Sequence, residues 1–397
     1  MMKAIFFDPE EGFVAVRVLR DRLEPYGKAT EKDVAGEGWF ISYPFIDLYA
    51  SCPDPGYEYR EDIQSFIEAA YHGGFGKVFV RPDTKPPMDN APMVREFLKR
   101  SRNSRIQIQP MPAFSQGLEG KRMTEIGELS STGVKFLSNG EVPVRSDRFL
   151  RRVMEYASSS GLILALTPYS GDLHEGVINE GPASARLGLS PVAWVDEAIA
   201  ISRYCFLAEL TGARIHITKV TTRAGIEEIK RAKGRGVQVT ATTPFYHLFF
   251  TDQDMSTFDQ NLVTKPPLRG REDQNALIDA LIEGTIQGLV TDHTPVSRHE
   301  KELEIEYAVP GMTGLDLAVP LVLDLAKQGR LPLDVAVRAF TSGPASVLLE
   351  NPEPSAGYVK VLMEDPWVVD SQTILSKSKN TPFMGRTVNT RISWLDI

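Results

Sequence analysis

Residues 41–90 read ISYPFIDLYASCPDPGYEYREDIQSFIEAAYHGGFGKVFVRPDTKPPMDN and contain one complete structural unit. The apolar run 41–48 predicts a buried strand, and the Pro- and Gly-rich turn 52–56 follows it. The spacing of apolar residues then predicts a helix over 61–71, which a Gly-Gly pair ends. A second apolar run, 77–80, predicts the next strand. The stretch therefore forms a strand–loop–helix–strand unit whose strands end in polar residues.

The same unit repeats along the chain. Helical patterns with an apolar face separate most of the apolar runs, and they are clearest over 147–156, 192–210, 224–233 and 274–283. Eight strands that alternate with helices predict an α/β fold, a (β/α)8 TIM barrel. A doubly wound open sheet is the competing interpretation, but no Gly-x-Gly-x-x-Gly turn supports it. The eight runs are 41–48, 77–80, 105–109, 134–137, 162–166, 214–217, 237–241 and 287–291.

The two ends of the chain predict a small β-rich accessory module. Residues 4–7 and 12–18 read as two strands around a turn, and 358–363 and 391–394 are strand-like pieces near the other end. We therefore expect three parts: residues 1–40 as the first part of the β module, 41–350 as the barrel, and 351–397 as its second part.

Composition excludes several classes of protein. The chain has 397 residues and a net charge of -8, without a basic block that would favour nucleic-acid binding. No apolar run reaches membrane-spanning length, and the N-terminus lacks a signal-peptide pattern. Cys52 and Cys205 do not make a disulfide framework, so we expect a cytoplasmic protein with free thiols. Cys52 is also a weak metal-ligand candidate, because no second Cys or His lies near it.

A barrel carries its active site at the C-terminal ends of its strands. The residues that follow the predicted strands form a poor site for two metal ions, because zinc needs several convergent His, Cys, Asp or Glu ligands. None of the six histidines makes a His-x-His pair. The residues that follow the predicted strands are Tyr49, Ser51, Asp83, Ser138, Asn139, Leu166, Thr167, Tyr169, Lys219, Tyr246, His247, Asp292 and His293.

Several segments together resemble the dihydroorotases, a family of cyclic amidohydrolases. The resemblance spans most of the chain and implies the barrel fold, a role in pyrimidine biosynthesis and hydrolysis of a cyclic amide C–N bond by zinc. The segments that carry it are the opening stretch, Asn-Glu-Gly at 179–181, Ser-Ala-Arg-Leu-Gly at 184–188, Pro-Pro-Leu-Arg at 266–269, Thr-Asp-His-Thr-Pro at 291–295, Pro-Gly-Met-Thr-Gly-Leu at 310–315 and Leu-Ser-Lys-Ser-Lys-Asn-Thr-Pro-Phe at 375–383.

The residues that bind metal and substrate in that family are mostly absent from this chain. Its first-strand His-x-His pair falls on Tyr49 and Ser51, its strand-six metal His on Lys219, and its strand-seven metal His on Tyr246 or, with a shift of one residue, on His247. The other departures are Pro53 and Asp83 for the substrate Arg and Asn, 138–140 for Asp-Asp-Gly, 166–169 for His-x-Glu-Asp, Lys265 for a substrate Asn and Val296 for a His.

We therefore expect a barrel that kept its fold and lost its catalysis and its metals. Asp292 is the remnant of the acid–base and metal position, and a buried lone carboxylate needs a partner. We predict that the ammonium of Lys219 or Lys265 lies beside it, where a metal would lie. The tyrosines at 49 and 246 then fill space. The histidines at 216 and 293 are expected to be structural.

Three functions follow from these expectations. The first is a non-catalytic dihydroorotase-like scaffold; the resemblance implies aspartate carbamoyltransferase as its partner and a homodimer or larger oligomer. The second is an active amidohydrolase with an atypical zinc site that includes Asp292 and His247. The third is a metal-free protein that binds a small anionic metabolite in the remnant pocket, lined by Arg81, Asp83, Lys219, Lys265, Tyr246 and His293.

Overall fold

A computed structural model describes residues 2–19, 22–171, 173, 175–354 and 357–395. The strands are β1 Met2–Asp8, β2 Gly12–Val18, β3 Leu23–Lys28, β4 Trp39–Ser42, β5 Phe45–Ala50, β6 Phe75–Val80, β7 Gln107–Pro110, β8 Phe136–Ser138, β9 Ile163–Leu166, β10 Ile178–Asn179, β11 Pro191–Val192, β12 Arg214–Ile217, β13 Val239–Pro244, β14 Gly288–Val290, β15 Tyr358–Leu362, β16 Trp367–Val368, β17 Thr387–Val388 and β18 Arg391–Leu395.

The helices connect these strands. They are α1 Glu31–Glu37, α2 Ile63–His72, α3 Ala91–Ser101, α4 Ile126–Ser130, α5 Asp147–Ser159, α6 Pro182–Leu187, α7 Val195–Thr211, α8 Arg223–Gly234, α9 Arg271–Ile282, α10 Arg298–Lys301, α11 Ala318–Lys327, α12 Leu333–Arg338 and α13 Ser342–Leu348. Short 3-10 helices lie at Gln116–Leu118, Phe245–Leu248, Asp252–Thr257 and Gln260–Leu262. Within the described ranges, no helix combines the length and the apolar character needed to cross a membrane.

Eight parallel strands form the predicted barrel. They lie in two hydrogen-bonded groups, β5-β6-β7 and β8-β9-β12-β13-β14. Backbone hydrogen bonds join the groups on both sides: Ser138 N donates to Pro112 O at 3.0 Å, and Ser51 N donates to His293 O at 2.8 Å. The buried carboxylate of Asp47 strengthens the second junction, because it accepts hydrogen bonds from the backbone N–H and the hydroxyl of Thr291. The barrel is thus closed where β14 meets β5.

A six-stranded sheet with the order β18-β15-β4-β1-β2-β3 forms the accessory module from both ends of the chain. The expected strands are present in it. The prediction that 41–48 is one strand is wrong, because the run breaks at Tyr43 and Pro44. Its first residues belong to β4, whose Ser42 pairs with Val359, and only β5 enters the barrel. Proline has no N–H to donate, so it favours such a break between two strands.

Part of the C-terminal region lies on the barrel rather than in this sheet. The buried carboxylate of Asp316 accepts hydrogen bonds from Leu375 N at 2.7 Å and from the Ser376 hydroxyl at 2.7 Å. The Asn380 side chain donates to Thr294 O at 3.0 Å, next to the C-terminal end of β14. The segment therefore covers one side of the barrel mouth, and the expected assignment of all of 351–397 to the β module is wrong for these residues.

Local sequence explains most helix boundaries. Asp62 caps α2, since its carboxylate accepts a hydrogen bond from Ser65 N at 2.9 Å. Gly212 ends α7 with φ 67°, a left-handed conformation that glycine adopts without a steric cost. Six helices were not predicted: α1, α3, α4, α6, α10 and α13. Five of them have at most seven residues, too few to show a clear apolar period, and α3 has eleven residues, of which four are charged.

Candidate functional site

Charged side chains from four strand ends meet at the C-terminal mouth of the barrel. Arg81 follows β6, Glu141 follows β8, Lys219 follows β12 and Asp292 follows β14. Arg81, Lys219 and Asp292 are at most 4% exposed, whereas about a quarter of the Glu141 side chain reaches solvent. The parallel strands all point the same way, so residues far apart in the sequence become neighbours here.

The ammonium of Lys219 lies between the two carboxylates. Its Nζ donates to Glu141 Oε1 at 2.6 Å and to Asp292 Oδ2 at 3.3 Å, and it also donates to the backbone carbonyl of Lys265. The predicted contact between a lysine and Asp292 is confirmed, and of the two candidates it is Lys219 that makes it. Three acceptors for three N–H donors leave this buried ammonium fully hydrogen-bonded.

Arg81 provides a second cation to the same carboxylates. Its Nη1 lies 2.8 Å from Glu141 Oε1 and 3.5 Å from Asp292 Oδ1, and its Nε donates to Asp83 Oδ2 at 2.6 Å. The Ser51 hydroxyl donates to the same Asp83 oxygen at 2.8 Å. Two cations and three carboxylates thus form one connected network, in which each buried charge has a partner of opposite sign.

Three buried tyrosines complete the network. Tyr246 donates its hydroxyl to Asp292 Oδ2 at 2.6 Å, and Tyr169 donates to Glu141 Oε2 at 2.9 Å. The hydroxyl of Tyr49 lies 3.1 Å from that of Thr167. The ring of Tyr49 also lies 5.5 Å from the charges of both Arg81 and Lys219, within the range of a cation–π contact. These side chains fill the mouth with aromatic groups whose hydroxyls bind the carboxylates.

The pKa values of Glu141 and Asp292 shift in opposite directions. Burial would raise the pKa of Glu141, but the charges of Lys219 and Arg81 outweigh it and hold the pKa at about 2. Burial raises the pKa of Asp292, and the nearby charge of Glu141 acts in the same direction. Asp292 also has φ 46°, in the left-handed region that few non-glycine residues adopt. Glu141 is therefore the more firmly ionised of the pair.

The other predicted site residues are not gathered around Asp292. The Nζ of Lys265 lies 5.0 Å from the centre of the Tyr169 ring, and burial lowers its pKa. His293 is fully buried and faces α2: its Nδ1 accepts a hydrogen bond from Gly314 N at 3.2 Å, and its Nε2 lies 3.5 Å from Glu61. His293 thus belongs to the support of the mouth, as expected for a structural residue.

Two further histidines, His216 and His247, are buried. His216 contacts the hydroxyls of Thr240 and Thr242 inside the barrel, and burial lowers its pKa to about 3. His247 is also buried, and its Nε2 has no hydrogen-bond partner among the described residues. Burial, Arg269 and Lys219 all lower the pKa of His247. His174, another of the six histidines, lies outside the described residues.

The sequence analysis missed Glu141. It assigned the family's metal-bridging segment to residues 138–140 and stopped one residue short. A signal was present, since Glu141 is the first ionisable residue after β8. Its role depends on the loop after β8, which carries the carboxylate back over the mouth, and a sequence pattern does not give that direction.

The donors at the mouth do not fit a zinc site. Among the residues that the structure describes, no group of three or more His, Cys, Asp or Glu side chains could hold a metal ion. Glu141 and Asp292 could each supply an oxygen, but Lys219 lies between them. An ammonium has no lone pair to give to a metal, and its charge repels a cation.

Comparisons with known proteins agree with this architecture. A family model described as dihydro-orotase-like matches residues 39–225. The dihydroorotase of Syntrophotalea carbinolica is 35% identical over 368 residues, which cover 89% of this chain and 85% of the relative. The dihydroorotase of Syntrophus aciditrophicus is 36% identical over 365 residues, which cover 90% and 85%.

Solved structures show the same fold at lower identity. The L-hydantoinase of Arthrobacter aurescens superposes with a TM-score of 0.82 at 20% identity, over 97% of this chain and 91% of that one. A dihydroorotase from Saccharomyces cerevisiae in complex with 5-fluoroorotic acid gives a TM-score of 0.71 at 15% identity, over 89% and 97%. With the identity and coverage of its curated relatives, the chain belongs to the dihydroorotase-like family.

Proposed function

We propose that this chain is a dihydroorotase-like protein of pyrimidine biosynthesis that does not catalyse the hydrolysis of a cyclic amide. One observation carries the proposal: the ammonium of Lys219 lies between Glu141 and Asp292, the two carboxylates best placed to hold a metal. The network provides each of these carboxylates with a cation and with hydrogen bonds from the protein itself.

The chemistry of the mouth supports a loss of activity. Hydrolysis at neutral pH needs a strong nucleophile, which metal ions supply by lowering the pKa of bound water. A general base must also be free to take a proton. Asp292 Oδ2 already accepts hydrogen bonds from Tyr246 and Lys219, and its Oδ1 lies 3.5 Å from Arg81 Nη1, so both oxygens contact donors of the protein. Arg81 likewise donates hydrogen bonds to Asp83 and Glu141, so its guanidinium is not free to orient a substrate.

A protein that keeps the fold without this chemistry can contribute by association. We propose aspartate carbamoyltransferase, the partner that the family resemblance implies, as the protein that it binds. The sequence identity of 35% to a curated dihydroorotase supports a role in the same pathway, pyrimidine biosynthesis. In this role the buried ion network would preserve a rigid barrel whose outer surface does the binding.

Metal content and ring opening test the catalytic part of this proposal. The protein would be produced with zinc in the medium and purified without chelator, and the dihydroorotase of Syntrophus aciditrophicus would be treated in parallel as the control. We expect near-zero zinc per chain and no opening of the dihydroorotate ring. One or two zinc ions per chain together with ring opening would instead establish the atypical zinc enzyme.

The association part needs a separate experiment. The chain would be co-expressed with the aspartate carbamoyltransferase of the same organism, and the mass of the purified complex would be measured by light scattering. We expect a stable complex that contains both proteins, and a variant with Lys219 replaced by methionine should still form it if the barrel stays folded. Two separate peaks at micromolar concentration would contradict the scaffold role while leaving the loss of catalysis standing.

A further inference from the structure

A cavity of about 450 Å³ lies between α10, the 3-10 helix Gln260–Leu262 and the C-terminal segment 377–380, which covers one side of the barrel mouth. The four charged residues that meet at the mouth are not part of its lining. Its volume falls in the range of about 300–1,000 Å³ that small-molecule sites occupy. The cavity is therefore large enough for an organic ligand.

The cavity is positively charged in a chain that is acidic as a whole. The chain has a net charge of -8, whereas four of the described residues that line the cavity are cationic and one is anionic. The anionic residue, Glu302, is paired with the cationic Arg298 at 2.6 Å. The other three cations are Lys301, Lys377 and Lys379. A local excess of positive charge of this kind attracts an anion.

Each of these three lysines has one N–H that no described residue accepts. An ammonium has three donors, and each of the three binds two acceptors of the protein. The acceptors are Gln260 O at 2.8 Å and Val263 O at 3.1 Å for Lys301, Glu58 O at 2.6 Å and Asp62 Oδ2 at 3.2 Å for Lys377, and Ile374 O at 2.5 Å and Ser376 O at 2.6 Å for Lys379. The three remaining donors match in number the three terminal oxygens of a phosphate monoester.

Lys301 is the most buried of the three lysines, with only 4% of its surface exposed. Burial lowers the pKa of its amine to about 7. The neutral amine has two N–H groups, which the two backbone carbonyls already accept, and only the charged form has a third. A nearby anion favours the charged form. This position is thus suited to a ligand that brings its own negative charge.

The 3-10 helix provides acceptors to the same cavity. The side-chain amide of Gln260 donates to Leu303 O at 3.0 Å, and that of Asn261 donates to Asp259 Oδ1 at 2.9 Å. The amide oxygens of both side chains accept no hydrogen bond from the described residues. Hydroxyl groups suit such oxygens because they donate as well as accept. The lining therefore combines donors for a phosphate with acceptors for hydroxyls.

We propose that this cavity binds a sugar phosphate, either free or as part of a nucleotide. The three lysines bind the phosphate, and the amide oxygens of Gln260 and Asn261 accept hydrogen bonds from sugar hydroxyls. Inorganic phosphate would leave these amide oxygens without a partner, and a carboxylate would offer two oxygens to three N–H donors. The site goes beyond the function proposed above and does not depend on the loss of catalysis.

Calorimetric titration of the intact chain identifies the ligand class. The titrants are ribose 5-phosphate, uridine 5′-monophosphate, inorganic phosphate and ribose. We expect one or both of the sugar phosphates to bind at least about 10-fold more tightly than inorganic phosphate, because the hydroxyls add hydrogen bonds. Ribose alone should not bind, because it lacks the charge. Tighter binding of the nucleotide than of ribose 5-phosphate would assign the site to a nucleotide.

Lys377→Met tests whether the ligand lies in this cavity. The Lys377 side chain is 44% exposed and binds one carbonyl and one carboxylate, so its replacement should leave the fold intact. Lys327 of α11 is the matched control: it is 41% exposed, donates to Met363 O at 3.0 Å and lies 3.6 Å from Glu364. We expect Lys377→Met to weaken the binding of the sugar phosphate by about 10-fold or more, since hydrogen bonds between charged groups are strong. Lys327→Met should leave it unchanged.

Four results would overturn parts of the proposal or all of it. No binding of either sugar phosphate at millimolar concentration would overturn the site. Inorganic phosphate that binds as tightly as the sugar phosphates would overturn the sugar contacts, and ribose that does so would overturn the role of the phosphate. An unchanged affinity in Lys377→Met, or an equal loss in Lys327→Met, would overturn the location. Circular dichroism checks that both variants are folded.

Discussion

Replacing Lys219 with methionine should destabilise the protein without changing its fold. Methionine has a similar length but no charge, so the buried Asp292 and the partly buried Glu141 lose the ammonium that lies between them. Removing one member of a buried ion pair costs about 3–5 kcal/mol. Arg81 remains within 2.8 Å of Glu141 and 3.5 Å of Asp292, so we expect a cost near the lower end, about 3 kcal/mol.

Calorimetry measures this cost. An unfolding entropy near 2.1 cal/mol/K per residue gives about 0.8 kcal/mol/K for the whole chain, so the melting temperature should fall by about 4 °C. The loss should shrink in acid, because burial raises the pKa of Asp292 and protonation removes the uncompensated charge. Lys265→Met is the control, with an expected cost below about 1 kcal/mol. An unchanged melting temperature for Lys219→Met, or an equal loss in the control, would refute the central role of Lys219.

Four further predictions concern Glu141, His216, Gly343 and Asp316. Glu141 has a pKa lowered from 4.5 to about 2, so its stabilisation is present above pH 4.5 and is lost as the pH falls toward 2; acid titration should show the intact chain and Glu141→Gln converging there. His216 stays neutral down to about pH 3, so its ring NMR signals should not shift between pH 8 and 5, and a titration in that range would contradict its burial. Gly343→Ala should lower stability by at least about 2 kcal/mol in urea unfolding, because the new methyl would overlap the backbone carbonyl of Gln287, and a neutral result would show that the backbone can move. Asp316→Ala should speed hydrogen exchange at the two backbone amides of the C-terminal segment that it binds, while unchanged exchange would mean that the segment is held by other contacts.

The barrel could be predicted because each of its units is encoded locally. A buried strand needs a short apolar run, and a helix packed on a sheet needs an apolar face, so the pattern repeats within each unit. The eight runs all contain or overlap a barrel strand. The error at 41–48 has the same origin: β4 and β5 are both buried, and periodicity does not tell which sheet covers a strand.

Sequence patterns alone identified four charged residues of the mouth, Arg81, Asp83, Lys219 and Asp292, and showed which metal ligands of the family are missing. They also narrowed the partner of Asp292 to two lysines. Only the tertiary structure decided between them and added Glu141, because ion pairs depend on where loops carry side chains that lie up to 211 residues apart. The same holds for Ile199, Phe206 and Leu210 of α7, whose side chains resemble core residues in the sequence but lie exposed on the outside of the barrel. The burial and the direction of a side chain depend on how the chain packs, whereas residue type and the spacing of apolar residues can be read from the sequence.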